Sequence, residues 1–169
     1  SSFFSCVFFN FLVQCTITKE TENSMITKEQ ALTIYNLIKE NPKIIIHRHD
    51  RPDGDALGAQ IGLKEAILAN FPTYDVKIVG DINKRYFWMG EMDNVNDDEY
   101  EKDMFLSPEE AKGAVDDSTV VVVVDVNIPN RTECPELLNM CKNVVVIDHH
   151  RQSSEVIENP VLSYVEPYI

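Results

Sequence analysis

The side chains best suited to chemistry lie in three short stretches of the sequence. They are the run His47-Arg-His-Asp-Arg-Pro-Asp-Gly-Asp55, the isolated Asp125 and the triplet Asp148-His149-His150. Together they contain all four histidines of the chain. Carboxylates are hard oxygen ligands and imidazole is a borderline ligand, so the mixture suits Mn²⁺, Fe²⁺, Co²⁺ or Zn²⁺ better than Ca²⁺. The residue types therefore predict a site for divalent metal ions.

A pair of ions would give these residues a defined chemistry. Two metal ions about 3.5–4 Å apart can share a carboxylate, generate a hydroxide and clamp both oxygens of an in-line displacement at phosphorus. The pair Asp53-x-Asp55 lies in a glycine-containing turn that opens a predicted helix, where two carboxylates can converge near a positive helix end. Taken singly, Asp53 or Asp55 could be a helix N-cap, Asp125 a loop residue and His149 a core histidine.

Each of the three stretches directly follows a segment predicted to be a buried strand, at 43–47, 120–124 and 144–147. Open α/β sheets bind ligands outside the carboxyl ends of their strands. Three strand ends would bring all these acids and imidazoles to one edge. That convergence favours a metal site over the separate structural interpretations.

The remaining pattern predicts the architecture that carries this edge. Strand cores are continuously apolar and alternate with helical segments, which indicates a sheet covered on both faces. We predict an α/β fold: a mostly parallel, doubly wound sheet with helices on both faces. The other predicted elements are strands at 75–79 and 161–165, helices capped by Thr27 and Ser107, and helices at 56–70 and 135–141.

Composition bounds the class of protein. The chain has 169 residues, 44% hydrophobic and 25% charged, with a formal net charge of −13. These values suit one globular domain and exclude disordered, collagen-like and multi-span membrane proteins. The acidity argues against a general nucleic-acid coat protein, which needs a basic face. The four cysteines show no zinc-site spacing and are expected to be buried or incidental thiols in a reducing compartment.

Two segments are expected to lie outside the core. Residues 1–24 include an apolar run, Phe3–Val13, that is shorter than the about 20 residues needed to span a bilayer. We predict an extension outside the fold, with an anchor remnant or interaction segment as the alternative, and a folded domain at 25–169. The acidic residues 91–104 predict a surface segment. The expected location is the cytoplasm, as a separate protein or as the cytosolic part of a membrane-anchored one.

The three stretches together resemble motifs I, II and III of the DHH phosphoesterases. The resemblance is carried by His49-Asp-Arg-Pro-Asp-Gly-Asp-Ala-Leu-Gly58, Asp125 and Asp148-His149-His150, and it covers about residues 25–169. These enzymes are manganese-dependent hydrolases of phosphodiesters, phosphomonoesters and phosphoanhydrides. The resemblance implies two Mn²⁺ ions, with Co²⁺ or Mg²⁺ as substitutes.

The same resemblance implies a role for each site residue. One ion would be held by His49, Asp53 and Asp125, and the other by Asp55, Asp125 and His149. His150 would face the scissile phosphate as a hydrogen-bond donor or acid, and Asp148 would orient the histidines. Arg151 would contact a phosphate, or else be a solvated arginine at a helix start. His47 lies outside the family pattern and is expected to support the site or the core.

Two subfamilies compete for the substrate. Residues 47–93 resemble stand-alone oligoribonucleases with pAp phosphatase activity, whereas residues 106–168 resemble cyclic-di-AMP phosphodiesterases. A family II pyrophosphatase is disfavoured, since its motif I usually reads N-P-D-x-D-S and this chain has R-P-D-G-D-A. The leading prediction is hydrolysis of cyclic-di-AMP or its linear dinucleotide, with the oligoribonuclease/pAp 3′-phosphatase as the alternative. The expected partner is a small nucleotide rather than long nucleic acid, and a homodimer is compatible with the pattern.

Part of the family pattern has no match in the sequence. Nothing after Asp148 resembles the downstream metal-ligating Asp of motif IV, and the Gly-rich/His substrate-binding domain is also absent. We therefore expect the N-terminal part of a longer enzyme. The alternative of another class is a fragment that binds metal or nucleotide without catalysis.

Overall fold

The computed structural model describes residues 26–80 and 105–166, which form one parallel sheet with helices. The helices are α1 (Lys28–Glu40), α2 (Gly54–Asn70), α3 (Pro108–Ala114) and α4 (Glu136–Met140). The strands are β1 (Lys43–His47), β2 (Asp75–Val79), β3 (Phe105–Leu106), β4 (Thr119–Val124), β5 (Asn143–Asp148) and β6 (Leu162–Val165). The predictions for residues 1–24 and 91–104 fall outside the described residues.

Side-chain alternation along β1 divides the core into two layers. Ile44 and Ile46 pack with residues of α1 and α2, including Ile38. Ile45 faces the other side and packs with Ala111 of α3 and residues of α4. Successive side chains of a strand point to opposite faces, so a β-branched run with helices on both sides is buried throughout. The predicted doubly wound α/β fold is confirmed.

Strand order places a crevice above the centre of the sheet. The order is β3-β2-β1-β4-β5-β6, and every neighbouring pair in the six-stranded sheet is parallel. The chain builds outward from β1 to β3 and then returns to place β4 against the other edge of β1. Such a reversal is a topological switch point, where the loops after the two central strands separate and leave room for a ligand.

The observed elements differ from the predicted ones at a few boundaries. Helix α2 begins at Gly54 rather than residue 56, because Asp53 caps it. Strand β3 was not predicted, since two residues carry no readable periodicity. Helix α4 is shorter than predicted, so Cys134 and Cys141 lie beyond its ends; both are buried free thiols. Within residues 26–80 and 105–166, no helix combines the length and apolar character needed to cross a bilayer.

His47, at the end of β1, is fully buried in the core as a neutral imidazole. Its Nε2 accepts a hydrogen bond of 3.0 Å from the backbone N–H of Cys134, so the proton of the neutral ring lies on Nδ1. Burial, with help from the positive charge of Arg48, lowers the pKa of His47 from 6.5 to about 4. His47 thus supports the core beneath the loops rather than facing the crevice.

We expect the free energy of unfolding to fall as the pH drops from 6.5 towards 4. In this window His47 is protonated in the unfolded state and neutral in the folded state, so stability rises with pH. A difference of one in pKa between the two states corresponds to about 1.4 kcal/mol, so the free energy of unfolding is expected to change by about 3 kcal/mol. Urea unfolding at several pH values would measure it. The difference between the protein and its His47→Gln variant isolates this residue, and parallel pH profiles would contradict the assignment.

Candidate metal centre

The three predicted stretches meet at the carboxyl edge of the sheet, with Asp125 at their centre. His149 Nε2 lies 2.9 Å from Asp125 Oδ1 and 3.3 Å from Asp55 Oδ2. His49 Nε2 lies 3.5 Å from Asp125 Oδ2. Asp125 follows β4 and His49 follows β1, so the centre lies over the switch point. The predicted convergence is therefore present in the structure.

Asp125 has an uncommon backbone and a buried side chain. Its φ is +60°, in the left-handed region that few residues other than glycine, Asn and Asp adopt. The N–H of Asp125 donates to the carbonyl of Ile147 at 3.0 Å, which ties the end of β4 to β5. Burial raises the pKa of the Asp125 carboxyl, and the negative charge of Asp55 raises it further. A buried carboxylate beside another acid is stabilised by a cation.

Asp53 combines the structural role with a position in the centre. Its Oδ1 accepts hydrogen bonds from the N–H groups of Asp55 and Ala56, at 2.9 and 3.1 Å, and so caps α2. The Ala56 bond is the main reason that the pKa of Asp53 is lowered. A carboxylate has two oxygens, so capping with Oδ1 leaves Oδ2 for an ion. The N-cap interpretation and the ligand interpretation of Asp53 are compatible.

Two groups of side chains have the spacing to hold a metal ion. Within each group, one ligand atom per residue lies within 4.8 Å of all the others. One group consists of His49, Asp53 and Asp125, and the other of Asp125, Asp148, His149 and His150. Asp125 is common to both groups, and the mixture of oxygen and imidazole ligands fits a borderline divalent ion. The residues therefore fit a pair of ions that share one carboxylate.

Asp55 is placed differently from the other predicted ligands. It touches the second group through His149 but is not a member of it, and its side chain is 65% exposed. The structure thus gathers His49, Asp53, Asp125 and His149 tightly and leaves Asp55 at the rim. Asp148 belongs to the second group, and both of its carboxylate oxygens accept hydrogen bonds from neighbouring groups.

The carboxylate of Asp148 orients both histidines of the triplet. Its Oδ1 accepts from the backbone N–H of His149 at 2.8 Å and from that of His150 at 3.2 Å. The same oxygen accepts from the ring Nδ1 of His150 at 2.8 Å, which raises the pKa of His150. With Nδ1 facing Asp148, the Nε2 of His150 is the atom available for a ligand.

Two residues near the centre were not predicted from the sequence. Asn127 is buried, and its Nδ2 donates to Oδ2 of Asp148. Arg131 is exposed and lies close to His150. Its positive charge lowers the pKa of His150, in opposition to the larger effect of Asp148, which raises it. The spacing Asp125-x-Asn127 at a strand end could have indicated that Asn127 lies near the site. Arg131 gave no local signal. Arg151, predicted to contact a phosphate, is exposed directly after His150.

The loop that carries His49 is fixed by the segment that follows β4. Asp50 N–H donates to the carbonyl of Arg131 at 2.8 Å, and Glu133 N–H donates to the carbonyl of Arg48 at 2.9 Å. Between them, His49 and Thr132 form an antiparallel bridge. His49 therefore sits on a short two-stranded ladder rather than on a free loop.

Comparison with known proteins identifies the family of this chain. A family model described as "DHH family, N-terminal domain" matches residues 43–169. The chain is 36% identical over 138 residues to the cyclic-di-AMP phosphodiesterase GdpP of Bacillus subtilis, covering 78% of this chain and 20% of that protein. It is 37% identical over 134 residues to a probable bifunctional oligoribonuclease and PAP phosphatase, NrnA, of Streptococcus mutans, covering 79% of this chain and 37% of that protein.

A solved structure shares the fold. An exopolyphosphatase-related protein from Bacteroides fragilis superposes with a TM-score of 0.63 at 20% identity, covering 85% of this chain and 40% of the other. At this identity the likeness concerns the fold alone. The chain spans well under half the length of each of these relatives.

Proposed function

The chain belongs to the DHH family, and on that premise we propose that it is the metal-binding part of a manganese-dependent phosphodiesterase acting on small nucleotides. The proposed substrates are cyclic-di-AMP and its linear dinucleotide. The observation that carries the proposal is the pair of ligand groups that share Asp125. Two ions held in this way would supply an activated water and would neutralise charge on a phosphoryl group.

Each side chain then has a definite task. His49, Asp53 and Asp125 would hold one ion, while Asp125 and His149 would hold the other with Asp55 at its rim. Asp148 keeps the Nδ1 proton of His150 engaged. A protonated His150 donates from Nε2 to an oxygen of the scissile phosphate, and the raised pKa of His150 favours that protonated form.

The charge of the chain limits the kind of substrate. A protein with a formal net charge of −13 has no general affinity for long nucleic acid, because phosphate contacts require clustered Lys and Arg. At this edge Arg131 and Arg151 supply local positive charge. A di- or oligonucleotide held by ions and two arginines fits this arrangement. We also propose that the protein is located in the cytoplasm.

A comparison of substrates tests the proposal. The protein at its natural length, purified and loaded with Mn²⁺, is expected to cleave cyclic-di-AMP or the dinucleotide pApA, with the products resolved by chromatography. Calorimetry on the same sample establishes that the ions are bound. Binding of Mn²⁺ by the protein at its natural length, without cleavage of any of these nucleotides, would contradict the proposed function and favour the non-catalytic binding module.

The oligoribonuclease/pAp 3′-phosphatase is a second candidate. The cyclic-di-AMP phosphodiesterase and the oligoribonuclease/PAP phosphatase match this chain at 36% and 37% identity, so identity favours neither substrate. Faster turnover of pAp and short oligoribonucleotides than of cyclic-di-AMP would favour this candidate.

We expect Arg131→Ala and Arg151→Ala each to raise KM by about tenfold with little change in kcat. A charged hydrogen bond to phosphate contributes about 1.5–3 kcal/mol, and solvent exposure places these residues near the lower limit. Steady-state kinetics on the preferred nucleotide would measure the change. Lys142→Ala is the matched control, since Lys142 is an exposed cation at the start of β5, away from the site. An unchanged KM in both arginine variants would contradict the phosphate-binding role.

A further inference from the structure

Arg48 is a fully buried arginine directly before the proposed ligand His49. Its side chain is 1% exposed and is among the largest fully buried side chains of the described residues. An arginine stays charged in proteins, and burying its charge is unfavourable unless it is paired and hydrogen-bonded. Neither metal-ligand group includes Arg48. Its burial therefore calls for a role of its own.

The guanidinium of Arg48 bonds to the loop that carries His49. Its Nη1 lies 3.2 Å from Glu133 Oε2 and 3.3 Å from the backbone carbonyl of His49. The backbone N–H of Glu133 donates to the carbonyl of Arg48 at 2.9 Å. Arg48 and Glu133 are thus joined through both side chain and backbone. The same guanidinium contacts the main chain of the proposed ligand.

Gly80, just after β2, provides the seat for this guanidinium. Its φ is +103°, and a Cβ added there would lie 2.3 Å from Nη2 of Arg48 and 3.2 Å from Cδ of Glu133. Any side chain at position 80 would displace the guanidinium. We call these three residues, Arg48, Glu133 and Gly80, the arginine clamp. The clamp joins the ends of β1 and β2 to the segment after β4.

We propose that the arginine clamp is a positioning device that fixes His49 relative to Asp125 and so sets the affinity of the ion that His49 binds. The clamp acts on the backbone of the His49 loop, whereas His149 and Asp55 stand on other elements. Loss of the clamp should therefore weaken the binding of one ion of the pair and leave the binding of the other unchanged. This inference rests on the proposed function only for the role of His49 as a ligand.

Mn²⁺ titration by calorimetry on the whole chain tests the proposal. Glu133→Gln keeps the size of the side chain and removes its charge. We expect this variant to bind one ion with unchanged affinity and the other 10–100-fold more weakly, the range typical of residues that support metal ligands. His49→Ala serves as the reference. Asp116→Asn is the matched control, since it removes the 2.7 Å ion pair with Lys43 at the opposite end of β1.

A double variant separates positioning from a general structural role. If Glu133 acts through His49, then Glu133→Gln combined with His49→Ala should bind no more weakly than His49→Ala alone. A purely structural role would instead weaken the binding of both ions together, and the losses of the two substitutions would add. Gly80→Ala provides a second variant, which keeps both charges and displaces the guanidinium, and which also strains the backbone because the φ of this residue is +103°.

The outcomes are distinct from those that test the proposed function. Unchanged binding of both ions by folded Glu133→Gln or Gly80→Ala, or additive losses in the double variant, would overturn the clamp. Failure to hydrolyse nucleotides with two ions bound would overturn the proposed function and leave the clamp standing. A chain that binds no Mn²⁺ would overturn both.

Discussion

Replacing Asp125 with Asn is expected to lower kcat/KM by on the order of 10³-fold, because metal stabilisation of the transition state contributes several kcal/mol and about 1.4 kcal/mol corresponds to tenfold in rate. Asp125 is the residue common to both ligand groups. Removing its charge is expected to weaken the binding of both ions at once, whereas removing a peripheral ligand would weaken the binding of one ion. This is the largest effect that we expect from a single substitution.

Asn is the appropriate substitution because it preserves the fold at this position. Asp125 has a φ of +60°, which Asn tolerates and Ala does not tolerate well. The Asn side chain has the size of the Asp side chain and still offers an oxygen to His149. A loss of activity in Asp125→Asn therefore reports the missing charge rather than a rearranged loop.

Kinetics and metal titration on the same preparations would measure this effect. Asp117→Asn is the control, since its carboxylate is 87% exposed at the opposite end of β4. We expect the control to bind two Mn²⁺ ions and to turn over at the normal rate. Substantial turnover by Asp125→Asn, at Mn²⁺ concentrations that saturate the unmodified protein, would contradict a shared-carboxylate role.

Replacing Glu133 with Met is expected to lower the free energy of unfolding by about 3–5 kcal/mol, because it leaves a buried charge without its partner. Arg48, 1% exposed, cannot shed its proton to escape the apolar surroundings. Domains are stable by only about 5–15 kcal/mol in total, so this loss is a large fraction. Replacing both partners, Arg48→Met with Glu133→Met, should recover most of the stability, since apolar pairs of similar volume often substitute for buried ion pairs.

Urea unfolding of the single and double variants would measure these changes. The comparison separates stability from metal positioning, because the double variant regains stability but lacks the guanidinium bond to the carbonyl of His49. We expect it to remain defective in binding one ion. A single variant as stable as the parent protein would show that Arg48 finds water or another acceptor.

Most of the sheet could be predicted from local pattern, because its strands are buried on both faces. The runs at β1 and β2 have bounds that agree with the prediction, since β-branched residues end abruptly at polar loops. Strand β3 could not be found in this way. Its two residues are fixed by pairing with β2, a contact distant in sequence.

The proposed ligands were visible in the sequence, whereas the residues that support them were not. Asp and His at strand ends predict their own convergence once the sheet is parallel. Arg48 lies in a run of charged residues that suggests solvent exposure. Its burial depends on Glu133, in the segment after β4, and on Gly80, which follows β2 and has no side chain to occupy the space. Such supporting contacts arise only in the folded chain.

The valine run of β4 has a consequence for how the protein folds. All six residues of Thr119–Val124 are buried, but only after β1 and β5 have paired with its two edges. Until then the segment is uncharged, strongly β-forming and prone to aggregate. Asp116 and Asp117 precede it and Asp125 follows it, and charges in these positions act as gatekeepers against self-association. The central carboxylate of the site therefore also occupies a position where a gatekeeper charge is expected.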